Sequence, residues 1–136
     1  MKTIKGIICI ILNENNRFLL EQRDNNSRLF KWSWVFPGGS VEGNESTTQT
    51  VLREIDEEFG ITLSESDIMK IGECGRYLDN GFNEIWFTKV SGIPRLHIKE
   101  SAGAGWYTLE DIKSMNLGYG QNELVLPVLE DYLNQN

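Results

Sequence analysis

Histidine and cysteine are nearly absent: one histidine, His97, and two cysteines, Cys9 and Cys74, occur in 136 residues. Neither cysteine belongs to a CxxC pair or has a histidine at ligand spacing, so the pattern offers no zinc site. Long apolar runs are also missing. No stretch approaches the roughly 18 residues that a membrane-spanning helix requires. The segment Met1–Leu12 is apolar from Ile7 onward, but polar residues follow at once and no small-residue cleavage site is present. It reads as a strand rather than a signal peptide, and a cytoplasmic location is the expectation. Positive charge is scarce, with 13 Lys and Arg against 20 Asp and Glu, for a net charge of -7. A chain this acidic repels polyanions, which argues against a nucleic-acid polymer as partner. A small anionic molecule remains compatible, provided divalent cations lie between phosphate and carboxylate. Proline is rare, no repeat or linker divides the chain, and the expectation is one domain over residues 1–136.

Ile4–Leu12 is β-branched and apolar and predicts a buried strand. Asn13–Asn16 is a turn cluster, and Arg17–Arg23 predicts a second strand in a hairpin with the first. Trp32–Phe36 predicts a short strand ended by Pro37-Gly38-Gly39. Ser46–Phe59 carries Val51, Leu52, Ile55 and Phe59 at helical spacing, with Gly60 placed for a left-handed cap. Met69–Tyr77 and Glu84–Val90 predict two strands joined through the Asn80-Gly81 turn. Gly105–Thr108 predicts a short strand, Leu109–Ser114 a short helix or turn, and Glu123–Leu133 a closing helix with Pro127 in its first turn. This mixture implies an α/β fold, a mixed sheet with helices packed on its faces.

Chemistry concentrates in residues 39–61, GSVEGNESTTQTVLREIDEEFGI. Glu54, Glu57 and Glu58 fall at spacings of three and four, which puts them on one helical face. Like charges so placed destabilise an isolated helix. The spacing alone is compatible with a solvated acidic face or with a hard divalent cation held by carboxylate oxygens.

The same segment resembles the box of the Nudix hydrolase family: G, five residues, E, seven residues, REU, one residue, EE, one residue, GU, where U is bulky and aliphatic. Gly39, Glu45, Arg53, Glu54, Ile55, Glu57, Glu58, Gly60 and Ile61 fill every specified position. The resemblance implies an α/β/α sandwich around a mixed β-sheet and a metal-dependent pyrophosphohydrolase. By that resemblance Glu54, Glu57 and Glu58 are metal ligands, joined by a backbone carbonyl that falls on Gly38, with Mg2+ (or Mn2+) as the cofactor. Arg53 is expected to pair with a carboxylate such as Glu45 or a catalytic glutamate, or else to form only a surface i,i+4 pair with Glu57. Glu54 is the first choice for the proton acceptor, and Glu100, in the stretch ESAGAGW, is the second.

The resemblance extends to the substrate, expected to be a small nucleotide. Arg23 is similar to a phosphate-contacting arginine of MutT-like enzymes, and could equally be an exposed strand-end charge. Asn122 is similar to their purine-reading asparagine, and is also a preferred helix N-cap residue. Trp32, Trp34, Phe36 and Tyr77 could provide a stacking wall or belong to the core. Tyr77 lies 16 residues beyond Ile61, a region where dinucleoside-polyphosphate hydrolases of the family carry a tyrosine. The expected reaction is hydrolysis of a (d)NTP to the monophosphate and pyrophosphate. Cleavage of dinucleoside polyphosphates or nucleotide sugars is the alternative, and a non-catalytic nucleotide sensor is a third reading. The chain is expected to be a monomer or a homodimer.

Overall fold

The computed structural model describes residues 2–94, 96–98 and 101–135. Its strands are β1 (Ile4–Leu12), β2 (Phe18–Gln22), β3 (Trp34–Val35), β4 (Gly38–Ser40), β5 (Met69–Gly75), β6 (Phe82–Lys89) and β7 (Gly103–Tyr107). Its helices are α1 (Thr47–Phe59), α2 (Leu109–Lys113), α3 (Gln121–Leu124) and α4 (Leu126–Asn134). The strands form one mixed sheet in the order β3-β2-β1-β6-β5, with β4 also on β1 and β7 also on β2. The β1–β6 pair is parallel, from Ile4↔Phe82 to Leu12↔Lys89, and the other pairs are antiparallel.

Strand β1 lies at the centre, and alternation along it defines two cores. Ile7, Cys9 and Ile11 face one side and pack with Val51, Ile55 and Phe59 of α1. Ile8, Ile10 and Leu12 face the other and pack with Ile112, Val125, Leu126 and Leu129 of the C-terminal helices. Both faces of the strand are covered, which is why β1 reads as an unbroken apolar run. This is the α/β/α sandwich.

Three expectations change in detail. The Asn13–Arg17 turn is present, closed by the Asn13 N–H to the Arg17 carbonyl (2.9 Å), but β1 and β2 share only the Leu12↔Phe18 register pair. β1 is taken up by β4 and β6 instead, and β2 runs along β7 from Phe18↔Tyr107 to Gln22↔Gly103. The expected Trp32–Phe36 strand shrinks to Trp34–Val35, because Trp32 adopts a left-handed backbone (φ 65) that no strand accommodates. The expected closing helix is broken at Val125 (φ -108, ψ -46). Pro127 lies in the first turn of α4, where its missing N–H costs nothing, and it could not continue a helix begun at Gln121.

Candidate active site

Helix α1 is positioned by local chemistry at both ends. Ser46 caps it: its Oγ accepts from the Gln49 N–H (3.1 Å), while Gln49 Oε1 accepts from the Ser46 N–H (2.8 Å). Gly60 closes it with φ 70, and its N–H donates to the Asp56 carbonyl. Between these ends, buried Val51, Ile55 and Phe59 hold the helix on the sheet, each worth about 1.5–3 kcal/mol of burial. The flank that carries Glu54 meets β4. A methyl group on Gly39 would run into the Glu54 carboxylate, so only glycine lets that carboxylate come up against the β4 backbone.

Arg53 organises the carboxylates. Its Nε donates to Glu45 Oε2 (2.7 Å) and its Nη2 to Glu45 Oε1 (2.9 Å), a two-bond fork. Nη1 donates to Glu54 Oε1 (2.9 Å) and to Glu57 Oε2 (3.3 Å), and Nη2 also reaches the Ser40 carbonyl (3.3 Å). Glu45 further accepts from the Glu42 N–H and the Thr50 hydroxyl. Its pKa falls to about 2, first because of the Arg53 hydrogen bonds and then because of the Glu42 N–H. Arg53 is pushed upward in turn, chiefly by Glu45. Arg53 thus pairs with Glu45 and Glu54 as well as Glu57, so it does not form only the surface i,i+4 pair; the Glu45 fork dominates, since the Glu57 side chain is 61% exposed and an exposed pair contributes little.

Behind this row lies Cys9. Burial, then the charges of Glu58, Glu54 and Glu21, push its thiol well above the usual range. Glu58 is half-buried, with Oε2 shielded from solvent. Among the described residues, no three His, Cys, Asp or Glu side chains are already gathered as a metal cage. The expected ligands Glu54 and Glu57 each give one oxygen to Arg53 instead. The donor chemistry still fits a hard cation: carboxylates on one helical face, with Glu54 set against the glycine hollow of β4. Gly38, the neighbouring residue of β4, meets the Ile7 carbonyl where its side chain would stand, rather than Glu54.

A cavity of about 310 Å³ opens beside the box glycines. Gly38, Gly39 and Ser40 form one wall, and Glu21, Arg23, Arg76, Tyr77 and Tyr119 project around it. Two of the expected substrate residues are there. The Arg23 guanidinium lies 4.8 Å over the Tyr119 ring and donates from Nε to the Leu29 carbonyl (3.1 Å). Tyr77 is 57% exposed and packs edge-on against Phe30. Two others lie elsewhere. Trp34 packs edge-on against Tyr107 beside the core, at 5.3 Å between ring centroids. Asn122 is not the helix cap, a place taken by Gly120. Its Oδ1 accepts from the Leu117 N–H (2.8 Å) and its Nδ2 donates to the Met115 carbonyl (2.9 Å), so its amide is committed to the preceding loop. The neighbouring Gln121 lines the cavity in its stead, with Oε1 accepting from the Phe36 N–H (2.8 Å). Glu100 lies outside the described residues.

Sequence reasoning passed over Glu21, Arg76, Asn83 and Tyr119. Tyr119 had a local signal: it stands between Gly118 and Gly120 and adopts φ 57. Arg76 and Asn83 flank the Asn80-Gly81 turn, so the hairpin itself brings them together. Glu21 had no local signal, since it acquires its neighbours only when β2 joins the sheet.

Comparison with known proteins agrees with this geometry. The family model described as NUDIX domain matches residues 2–126. An 8-oxo-dGTP diphosphatase of Buchnera aphidicola is 28% identical over 116 residues, covering 85% of each chain. An 8-oxo-dGTP diphosphatase of Escherichia coli is 39% identical over 62 residues, 46% of this chain and 47% of that one. Several curated relatives are thus matched over about half their length or less. The crystal structure of a MutT protein from Methanosarcina mazei superposes with a TM-score of 0.75 at 27% identity, covering 99% of this chain and 96% of that one. A family match along nearly the whole chain, a matching fold and a complete box together show that the chain belongs to the Nudix family, as one of its pyrophosphohydrolases.

Proposed function

We propose that the chain hydrolyses a nucleoside or deoxynucleoside triphosphate to the monophosphate and pyrophosphate. The observation that carries this reading is the shared position of Gly39, which walls the cavity on one side and meets the Glu54 carboxylate on the other. A phosphate chain in the cavity would run past that glycine into the carboxylate row. Glu54, Glu57 and Glu58, with the Gly38 carbonyl, would hold Mg2+ or Mn2+. When bound, the cation supplies charge neutralisation of the phosphates and acidifies water.

The protein's own groups do the rest. Arg23 lies where a phosphate oxygen can be met, and an arginine fork suits that contact. Tyr77, exposed at the cavity edge, offers an aromatic surface to a base, while Tyr119 backs the Arg23 guanidinium. Water adds to one phosphorus, the bridging P–O bond breaks, and Glu54 accepts the proton released. Arg53 keeps Glu54 oriented, because Glu45 anchors the guanidinium from the far side. A second reading, cleavage of dinucleoside polyphosphates, draws support from Tyr77, whose exposure at the cavity edge would suit a second base. No helix among the described residues is long and apolar enough to cross a membrane.

The test is a phosphate-release panel with magnesium and a coupling enzyme, spanning canonical and oxidised dNTPs, NTPs, dinucleoside polyphosphates, ADP-ribose and nucleotide sugars. Glu57→Gln serves as the control and should lower turnover on the order of 10²–10³-fold with the fold intact. Unchanged turnover in that variant removes Glu57 from the mechanism. Tight binding of one nucleotide with no turnover of any would replace hydrolysis by sensing.

A further inference from the structure

Arg76 is a cation that the box does not account for. It stands just past the end of β5, and its side chain is about three-quarters buried. Its Nη1 donates to Asn83 Oδ1 (2.8 Å) and its Nε to Asp79 Oδ2 (3.2 Å), so two bonds fix the plane of the guanidinium. These bonds leave an edge of the fork, Nη2, for another acceptor. The bond to Asn83 also fixes that amide: its oxygen faces Arg76, so its Nδ2 must be a donor. Both residues line the cavity.

The position depends on Gly6. A methyl group there would lie 2.7 Å from Arg76 Nη1, 2.7 Å from Asn83 Oδ1 and 2.8 Å from the Gly39 carbonyl oxygen. All three atoms therefore crowd one notch in β1 that only glycine leaves open. Through Gly39 the notch adjoins the carboxylate row, because the other side of that residue meets Glu54. A guanidinium and an amide donor thus stand across a single glycine from the acidic cluster. Arg23, the other cation lining the cavity among the described residues, lays its face on Tyr119 and gives its Nε to Leu29.

We infer that Arg76, oriented by Asn83 and admitted by Gly6, binds a phosphate of the nucleotide at the end of the cavity nearest the box. The inference deepens the proposed reaction by naming a second cationic contact, and it rests on that reading for the identity of the ligand. A phosphate is the fitting occupant because the pair offers donors only, one of them permanently charged. Arg76 is a binding residue here, with no proton to transfer.

Calorimetric titration tests it without turnover. GMP and AMP, each beside its nucleoside, are titrated into the wild-type chain, Arg76→Gln, Arg76→Lys and Gly6→Ala. Arg76→Gln should weaken monophosphate binding roughly ten-fold or more while leaving nucleoside binding within two-fold. Arg76→Lys should recover part of the loss as a point charge without the fork. Gly6→Ala should reproduce the loss by displacing the guanidinium. Monophosphate binding that is unchanged in Arg76→Gln, or that falls together with nucleoside binding, would overturn the inference, as would a wild-type preference for nucleosides. The two readings fail separately. A chain that hydrolyses nothing but binds monophosphates through Arg76 loses only the hydrolytic reading. A chain that hydrolyses a nucleotide with a KM indifferent to Arg76→Gln loses only this one.

Discussion

The helix over one face of the sheet and the helices over the other have opposite histories in the sequence. Helix α1 is continuous, capped at both ends and apolar along one stripe; Arg53 and Glu57 lie on its outer side and Glu54 on the flank against β4. The C-terminal cover is broken into α3 and α4, entered through two left-handed residues, Tyr119 and Gly120, and its polar side chains serve mainly to tie loops. One face is a rigid platform for charge. The other is an apolar lid whose irregular entry shapes the cavity through Tyr119, Gln121, Leu124 and Val125. Rigidity and recognition are thus divided between the two layers of one domain.

Mutations can separate the layers. Leu129, fully buried on the lid side, should destabilise the fold by about 3 kcal/mol as Leu129→Ala, read from denaturant unfolding. Its kcat per folded molecule should be unchanged, and a matching fall in kcat would show that the lid does more than cover. On the platform, Arg53→Ala should lower the unfolding midpoint by less than Leu129→Ala does, since it strips hydrogen bonds from Glu45 and Glu54 near the surface. Here kcat should fall as well, and an unaffected kcat would deny Arg53 its orienting role. The smallest effect is a pH dependence. Glu45 titrates at about 2 when folded against an ordinary 4.5. A depressed carboxylate stabilises the fold fully above pH 4.5 and loses that contribution as pH falls toward 2. Glu45→Gln should therefore flatten the acid limb of a melting-temperature profile in that window, and an unaltered limb would rule the contribution out.

What the sequence disclosed follows the reach of its signals. The α1 boundaries were readable because Ser46, Gln49 and Gly60 act within one helical turn, and the carboxylate face because helical period alone aligns Glu54, Glu57 and Glu58. The centre of the sheet was readable because β1 is buried on both faces. The pairing of β2 with β7 was not, since it joins residues some 85 positions apart. The cavity was only half readable for the same reason: it assembles residues from Ile7 to Val125. Trp34 and Asn122 have the right chemistry for a nucleotide, but strand direction turns the one to Tyr107 and loop carbonyl and amide groups claim the other. Arg76 passed unnoticed because its meaning depends on an empty space at Gly6, seventy positions earlier.

The thiol of Cys9, sealed in the apolar layer between β1 and α1, is kept protonated first by burial and then by the charges of Glu58, Glu54 and Glu21, and stays out of reach while the sandwich is closed. Half-buried Cys74 sits nearer the surface. An alkylating reagent would therefore mark the two sulfurs at different times, and the slower labelling event would clock the separation of α1 from the sheet, giving the protein an internal stopwatch for its own opening.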